Sequence, residues 1–384
     1  MINKKPIKVL QVVGAMNRAG TETMLMNIYR NINREKIQFD FISYSGQEAH
    51  YDQEIKRLGG RVIRLSNTSS IKEIYKVIKK YGPYDAVHAH TLFHCGIAII
   101  AARMAGVKVR ISHAHTTLDN SGSYKRKIYM RLMRSLINTF STKLLACSKG
   151  AGSYLFGEKS LANEKYSYFP NVIDYLGFLE CPKDEVRKFR VDQGLDNSIV
   201  IGHIGRFIEA KNHIFLLDIM KSVLKRNHTV KLLLVGDGNL KQQVEEKARK
   251  EGIYDYIRFI GIREDIPTLL HSMDVFVFPS IYEGLGLVLL EAQASGVQCV
   301  VSEAIQPEAD LNIGLVSKLS LKDDPKVWAD KIIELANKKE EDLNCIIGGF
   351  ERGGYSLTLG ISKLIDVYKS KTGESNEEYI NCLL

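Results

Sequence analysis

The sequence holds only six cysteines, at positions 95, 147, 181, 299, 345 and 382, and no two of them make a C-x-x-C pair. Most lie in apolar runs, which argues against a disulfide frame or a zinc site and for reduced, buried thiols in a cytosolic protein. Long apolar runs are missing as well. The most apolar internal stretch, Gly96 to Gly106, is broken by Arg103 and falls well short of the roughly 20 residues that span a bilayer. The opening MINKKPIKVLQVVG passes straight into a strand-like run, without the apolar length or the cleavage-site pattern of a signal peptide. The chain is therefore expected to be soluble, or at most attached to a membrane surface. Also absent is the G-x-G-x-x-G that a dinucleotide enzyme carries after its first strand. That position reads Gly14-Ala-Met-Asn-Arg-Ala-Gly20, and the nicotinamide reading fails.

What is present is a chain of 384 residues, 45% hydrophobic and 25% charged, enough for two or three globular domains. The net charge of +9 is unevenly spread. Residues 1–178 hold 27 Lys and Arg against 12 Asp and Glu, and the remainder holds 26 against 32. Such an asymmetry points the first half toward an anionic partner: nucleic acid, a membrane or a phosphorylated substrate.

Strand-like runs alternate with helix-length segments. In the first half they are Lys8–Val13, Phe39–Tyr44, Arg61–Leu65, Asp85–Ala89, Val107–Ser112 and Thr142–Ser148. In the second they are Ile199–Gly205, Val230–Gly236, Ile257–Gly261, Val275–Pro279 and Gln298–Ser302. Several are continuous apolar runs without alternation, as parallel strands covered on both faces require. The expected fold class is α/β, with two Rossmann-like doubly wound parallel-sheet domains facing across a cleft. The boundary falls between Pro170 and Pro182, which divides the chain into 1–178, 179–368 and a polar tail, 369–384.

The chemistry concentrates after Val275–Pro279. There Ser280-Ile-Tyr-Glu283-Gly284-Leu285-Gly286 leads into a helix-like Leu287–Ala294. Gly284 and Gly286 let backbone approach a ligand at a helix N-terminus, where free amides favour phosphate. Glu291 lies two turns into an apolar helix and needs a partner, such as the two hydroxyls of a ribose. Glu283 stands before the helix, where a sugar would lie. Taken alone, the spacing equally fits a strand–turn–helix with one solvated and one salt-bridged glutamate.

The run P-S-x-x-E-G-x-G-x-x-x-L-E-A-x-A-x-G resembles the E-x7-E signature of the family-4 retaining glycosyltransferases. Gly205-Arg206-Phe-Ile-Glu-Ala-Lys211-Asn212 is similar to that family's G-R-x-x-x-x-K-N loop. Val235-Gly236-Asp-Gly238 resembles its V-G-x-G turn, and Gly261 to Asp265 with Asp274 resembles G-x-x-x-D…D. These motifs stand in family order over most of residues 198–302. The resemblance implies the two-domain GT-B fold and transfer of a sugar, with retention and without metal, from a nucleotide-sugar substrate. No cofactor is implied, and UDP is expected rather than GDP. Arg206 and Lys211 would grip the diphosphate, with the turn at Gly236 beside them. Gly284 and the amides of Leu285, Gly286 and Leu287 would meet the phosphates. Glu291 would hold the ribose, Glu283 would contact the sugar, and Arg258 and Ile262 would line the base. The last helix of the second domain is allowed to pack back on the first.

In the first half, Ala19-Gly20-Thr21-Glu22-Thr-Met-Leu25 is similar to the family's G-G-x-E-x-x-L turn, with alanine at the first glycine. Gly20 would bring amides to the phosphate, and Thr21 would cap the helix. His88, His90, His94, His113 and His115 cluster in sequence, but the carboxylates of a catalytic metal site are scarce nearby. The family's sugar-facing histidine corresponds to His115, with His113 as the alternative, and Asp119 and Asn120 fall in an acceptor loop. Tyr124–Phe140 carries five positive charges and no negative one. Ile128, Tyr129, Leu132, Leu136 and Phe140 lie at helical spacing along it. It reads as a helix lying on an anionic membrane or as one packed on a core. No nucleic-acid module is recognised. The expected partners are a nucleotide-sugar and a polyprenyl-diphosphate-linked or oligosaccharide acceptor, at the inner face of the cell membrane, in capsule or exopolysaccharide assembly. The alternatives are a sugar-nucleotide epimerase of the same fold and a non-enzymatic scaffold.

Overall fold

The computed structural model describes residues 5–117, 124–336, 338 and 342–369. The proposed acceptor-loop residues Asp119 and Asn120, the tail beyond Lys369 and Cys382 lie outside them. The chain divides into two compact units, one running to Ile173 and resuming at Gly354, the other Asp174–Gly353.

The first unit is built on seven strands, β1 Ile7–Val13, β2 Ile37–Ser43, β3 Val62–Arg64, β4 Ala86–Ala89, β5 Val109–Ala114, β6 Lys143–Ala146 and β7 Tyr166–Tyr168. They pair in parallel in the order β3-β2-β1-β4-β5-β6-β7. The second unit has six, β8 Ile199–Ile204, β9 Val230–Val235, β10 Ile257–Phe259, β11 Val275–Phe278, β12 Gln298–Ser302 and β13 Val316–Leu319, in the order β10-β9-β8-β11-β12-β13. Both sheets are doubly wound, as the alternating apolar runs require. The central strands are solvent-free on both faces: Leu232, Leu233, Val275, Phe276, Val277 and Phe278 are all 0% exposed.

Two edge strands escaped the sequence reading. β7 and β13 are short, read YSY and VSKL, and keep most of their side chains partly or fully exposed, so they lack the apolar run that marks their neighbours. The helix Leu357–Lys369, from the end of the second half of the sequence, belongs to the first unit, where Gly360 lies against Val172.

In each sheet the strand order reverses once, between β1 and β4 in the first unit and between β8 and β11 in the second. Doubly wound sheets bind ligands beyond the carboxyl ends of the strands at that point. Most of the residues singled out in the sequence gather at these two places. Cys95, Cys147 and Cys299 are buried free thiols as expected, but Cys181 is exposed and Cys345 half-buried.

Candidate active site

In the second unit, the loop after β8 folds over the loop after β9. Gly205 donates its N–H to the Val235 carbonyl at 2.9 Å, and Phe207 to Asp237 at 3.0 Å. Gly236 sits at φ +133°, and a Cβ there would meet the Gly205 carbonyl oxygen at 2.2 Å. Only glycine fits that crossing. The same loop is stapled to the one after β11 by Ile281, whose N–H bonds the Ala210 carbonyl at 2.8 Å.

That staple sets two distant side chains against each other. Lys211 Nζ lies 2.6 Å from Glu283 Oε1, with the side chains 15% and 12% exposed. The ammonium also lies 4.5 Å from the centre of the Phe278 ring. A pair this sheltered is costly to break by removing one partner. Arg206, on the same loop, is exposed, and no partner for its guanidinium is found among the described residues.

Gly286 caps the helix Leu287–Ala294 at φ +86°, where a side chain would be strained. Gly284, Leu285 and Leu287 are buried around this turn. Within the helix Glu291 is half-buried, and desolvation alone pushes its carboxyl up to about 7. The site thus gathers an exposed cation, a paired cation and anion, and a desolvated carboxyl at one switch point. Ile262 stands beyond the carboxyl end of β10, 46% exposed, after the positive-φ Gly261.

Arg258 does not join them. Its guanidinium binds the carbonyls of Gln193 at 2.8 Å and Asp255 at 3.0 Å. These carbonyls lie at the amino end of β10, the opposite side of the sheet from the strand tips, so the arginine ties two loops together there. Asp274 is likewise structural: its carboxylate accepts from the Val200 N–H at 2.7 Å. Beneath the site lie His203 and His213, whose rings meet edge to face at 4.7 Å. Burial holds them down at about 4 and about 2.

In the first unit, Gly20 opens the helix Gly20–Asn31 after an extended Ala19, which takes the N-cap position. Thr21 therefore lies inside the helix and is not the cap. All four histidines of the two H-x-H runs converge at the tips of β4 and β5, because alternate strand residues share a face. His88 Nε2 pairs with His113 Nδ1 at 3.2 Å, and His90 Nδ1 with His115 Nε2 at 2.8 Å. Burial depresses all four, His115 to about 3, so the imidazoles are neutral. Nitrogens of His88, His90 and His113 lie within 4.8 Å of one another, close enough to share a cation, yet those of His88 and His90 are engaged in hydrogen bonds. His94 stands apart beside the Tyr129 ring at 5.6 Å.

Three side-chain partners of these histidines were not anticipated, and one of them is Asn171, hydrogen-bonded to His115. Gln11 on β1 and Tyr368 on the last helix close the network from below. The one available signal was a glutamine inside the apolar run IKVLQVV of β1.

The helix Tyr124–Phe140 buries Met133 and Ile137, with Met133 Sδ close over Gly96 of the helix Cys95–Met104. The core-facing stripe is thus offset from the one expected, and Ile128 and Leu132 remain 52% and 54% exposed, beside exposed Lys125, Lys127 and Arg131. Not all its cations are at the surface for binding, since Arg134 donates to the Tyr154 and Leu155 carbonyls. No helix among the described residues is long and apolar enough to cross a membrane.

Against this geometry, residues 185–352 match the model of glycosyl transferases group 1, and residues 18–175 match that of glycosyltransferase family 4. A provisionally assigned glycosyltransferase, EpsF of Bacillus subtilis (strain 168), is 37% identical over 97% of this chain and 98% of its own. The capsular polysaccharide biosynthesis glycosyltransferase CapH of Staphylococcus aureus is 28% identical over 95% and 99%. An Escherichia coli enzyme, UDP-Gal:alpha-D-GlcNAc-diphosphoundecaprenol alpha-1,3-galactosyltransferase, is 26% identical over 79% and 80%. Among solved structures, Anabaena HepE in complex with UDP-glucose shares the fold with a TM-score of 0.78, at 19% identity over 95% of this chain and all of that one. The chain belongs to the glycosyltransferases, with a family 4 module in its first half and a group 1 module in its second.

Proposed function

We propose that the chain moves a sugar from a UDP-sugar to a lipid-linked or saccharide acceptor in capsule or exopolysaccharide synthesis, with retention of configuration and no metal. The observation that carries the donor half of this reading is the convergence of Arg206, Lys211, Glu283 and Glu291 at one switch point, around the N-terminus of the helix Leu287–Ala294. A diphosphate would take the exposed Arg206 guanidinium and the Lys211 ammonium, and the helix N-terminus adds partial positive charge. Ribose hydroxyls would donate to Glu291, which gives its desolvated carboxyl a partner.

In the reaction the C1–O bond to the diphosphate breaks through an oxocarbenium-like state. Arg206 and Lys211 stabilise the charge on the departing oxygen. Glu283, relieved of Lys211 as the diphosphate arrives, faces the sugar with the positive charge it develops. The acceptor hydroxyl attacks C1 on the face the nucleotide leaves and passes its proton to a phosphate oxygen. His115, at the tip of β5, is the histidine proposed to meet a hydroxyl of a bound sugar. The names of the Escherichia coli and Anabaena proteins support UDP as carrier, and the former supports a diphosphoundecaprenol acceptor. The exposed Tyr124, Ile128 and Leu132 among Lys125, Lys127 and Arg131 would hold the first unit to an anionic membrane carrying such an acceptor.

The test is incubation of the purified chain with a panel of UDP- and GDP-sugars, with and without lipid extract. Sugar appearing in the lipid phase from a UDP donor, with its linkage retained and in the presence of EDTA, is the expected result. Sugar released equally without lipid would mean an epimerase. Polymer synthesis unaffected by Glu283→Gln in cells would mean a scaffold.

A further inference from the structure

The first unit carries a polar hollow at the end of its sheet opposite the histidines. A pocket of about 380 Å³ opens there, at the amino ends of β5 and β6, lined by Arg110, Thr139, Thr142, Lys143, Glu164 and Lys165. Three cations meet one carboxylate in it. A fourth cation is near, since the Arg103 guanidinium lies 5.0 Å from the centre of the Phe140 ring.

Arg110 is fixed in place by the backbone. Its Nε donates to the Phe140 carbonyl at 2.8 Å, and Nη1 to those of Val107 and Lys108 at 2.7 and 3.1 Å. Both protons on Nη2 are left without a partner among the described residues. By taking up the Phe140 carbonyl, Arg110 also offsets the negative end of the helix Tyr124–Phe140, which would otherwise repel an anion. Burial, and after it the Arg103 charge, pulls Arg110 below its ordinary value, with no carboxylate in compensation. Lys143 and Glu164 form no ion pair among the described residues. Lys165 donates to the Asn138 carbonyl at 3.3 Å, which leaves it two further protons. The Thr139 hydroxyl is unclaimed among the described residues, whereas that of Thr142 is taken up by the Arg110 backbone. Arg110, Lys143, Lys165 and Thr139 thus hold unclaimed donors around one space, a set suited to the oxygens of a phosphate.

The helix that ends at the pocket indicates which phosphate. Ile128, Leu132, Ser135 and Thr139 are all exposed, at spacings of four, three and four, and so form one stripe. Thr139 therefore continues the exposed apolar face, about 10 Å beyond Leu132 along the helix axis. Met104, next to Arg103, is exposed as well. We propose that the pocket is a headgroup site, taking the phosphate of an anionic phospholipid when this helix face lies on a membrane. The proposal rests on the reading that an anionic membrane holds the first unit, and adds a formed pocket to the diffuse attraction of Lys125, Lys127 and Arg131. The four donors bind the phosphate oxygens, and the exposed Glu164 carboxylate accepts from headgroup hydroxyls such as those of glycerol.

The experiment is flotation of the full chain with phosphatidylcholine vesicles containing a fixed fraction of phosphatidylglycerol, beside calorimetry with inorganic phosphate. Lys143→Ala removes a cation that holds nothing in the free protein, and Thr139→Val removes a hydroxyl and no charge. Lys143→Ala is expected to weaken vesicle binding by about tenfold or more, and Thr139→Val by about three- to tenfold. The melting temperature and transfer to a water-soluble acceptor should stay in place in both. Inorganic phosphate should bind far more weakly than the vesicles. Vesicle binding that either variant leaves unchanged would overturn the headgroup site, because diffuse attraction is indifferent to a hydroxyl. The membrane reading would then still stand if Arg131→Ala weakens binding. Inorganic phosphate bound as tightly as vesicles, with the same loss in Lys143→Ala, would replace the lipid with a free phosphate and overturn the proposal. A wild type that ignores the vesicles would overturn both the headgroup site and the membrane reading.

Discussion

Beyond β8 and β11 the second unit gathers charge: the exposed Arg206, the 2.6 Å Lys211–Glu283 pair and the desolvated Glu291. At the same topological position beyond β1 and β4, the first unit gathers neutral groups, four histidines with Gln11 and Tyr368. This runs against the bulk charges, because the first half is the strongly cationic one. Its lysines and arginines lie largely on surface helices such as Tyr124–Phe140, leaving the strand tips uncharged. Net charge therefore reports on the surface of a unit, and the chemistry of its site has to be read from the few side chains at the switch point. Charge suits a diphosphate, and neutral acceptors and donors suit hydroxyls.

The comparison can be broken in several places, the largest effect being on stability in acid. His88, His90, His113, His115, His203 and His213 all have native values held below the ordinary 6.5 by burial. Their contribution is fully present above pH 6.5 and is lost as pH falls below it, because the unfolded chain takes up protons that the native one refuses. Urea unfolding at pH 7 and pH 5 is expected to differ by on the order of several kcal/mol. An unchanged midpoint would mean that these rings are hydrated.

Next in size is Arg206→Ala, expected to lower kcat/KM by about 100- to 1000-fold while leaving the melting temperature in place, since the guanidinium holds nothing in the free protein. Steady-state kinetics with saturating acceptor measure it. A smaller effect attaches to Glu291. With its carboxyl at about 7, donor affinity should rise by up to about tenfold between pH 6 and pH 8, as the ionised group accepts more strongly from ribose hydroxyls. Glu291→Gln should bind weakly and flatten that profile in calorimetry. The smallest is Arg131→Ala on the exposed helix face, with about fivefold weaker binding to anionic vesicles, near 1 kcal/mol per cation. Transfer to a water-soluble acceptor should not change.

Legibility in the sequence divided along the same line. The second unit's site is local: Gly205 to Asn212 and Glu283 to Glu291 are two short segments, each with its own glycine and charge pattern, and the strands before them are unmistakable apolar runs. Arg258 was misplaced because a residue on a strand points where its partners are, and those partners, the Gln193 and Asp255 carbonyls, carry no side-chain signal. The first unit's site is non-local. Period-two spacing put each histidine pair on one face, but Gln11 and Tyr368 are separated by 357 positions, and nothing in either neighbourhood announces the contact. The stripe on Tyr124–Phe140 was offset for a related reason: Met133 and Ile137 face the core because Gly96 makes room for Met133, a fact that resides on another helix.

The proposed contrast between a charged site for a diphosphate in the second unit and a neutral site in the first is tested most directly by titrating UDP into the wild type, Arg206→Ala and His115→Gln by calorimetry. The account predicts that Arg206→Ala weakens UDP binding by at least about tenfold through loss of a charge-assisted contact, and that His115→Gln leaves it unchanged. Binding that survives Arg206→Ala and is lost with His115→Gln would contradict it.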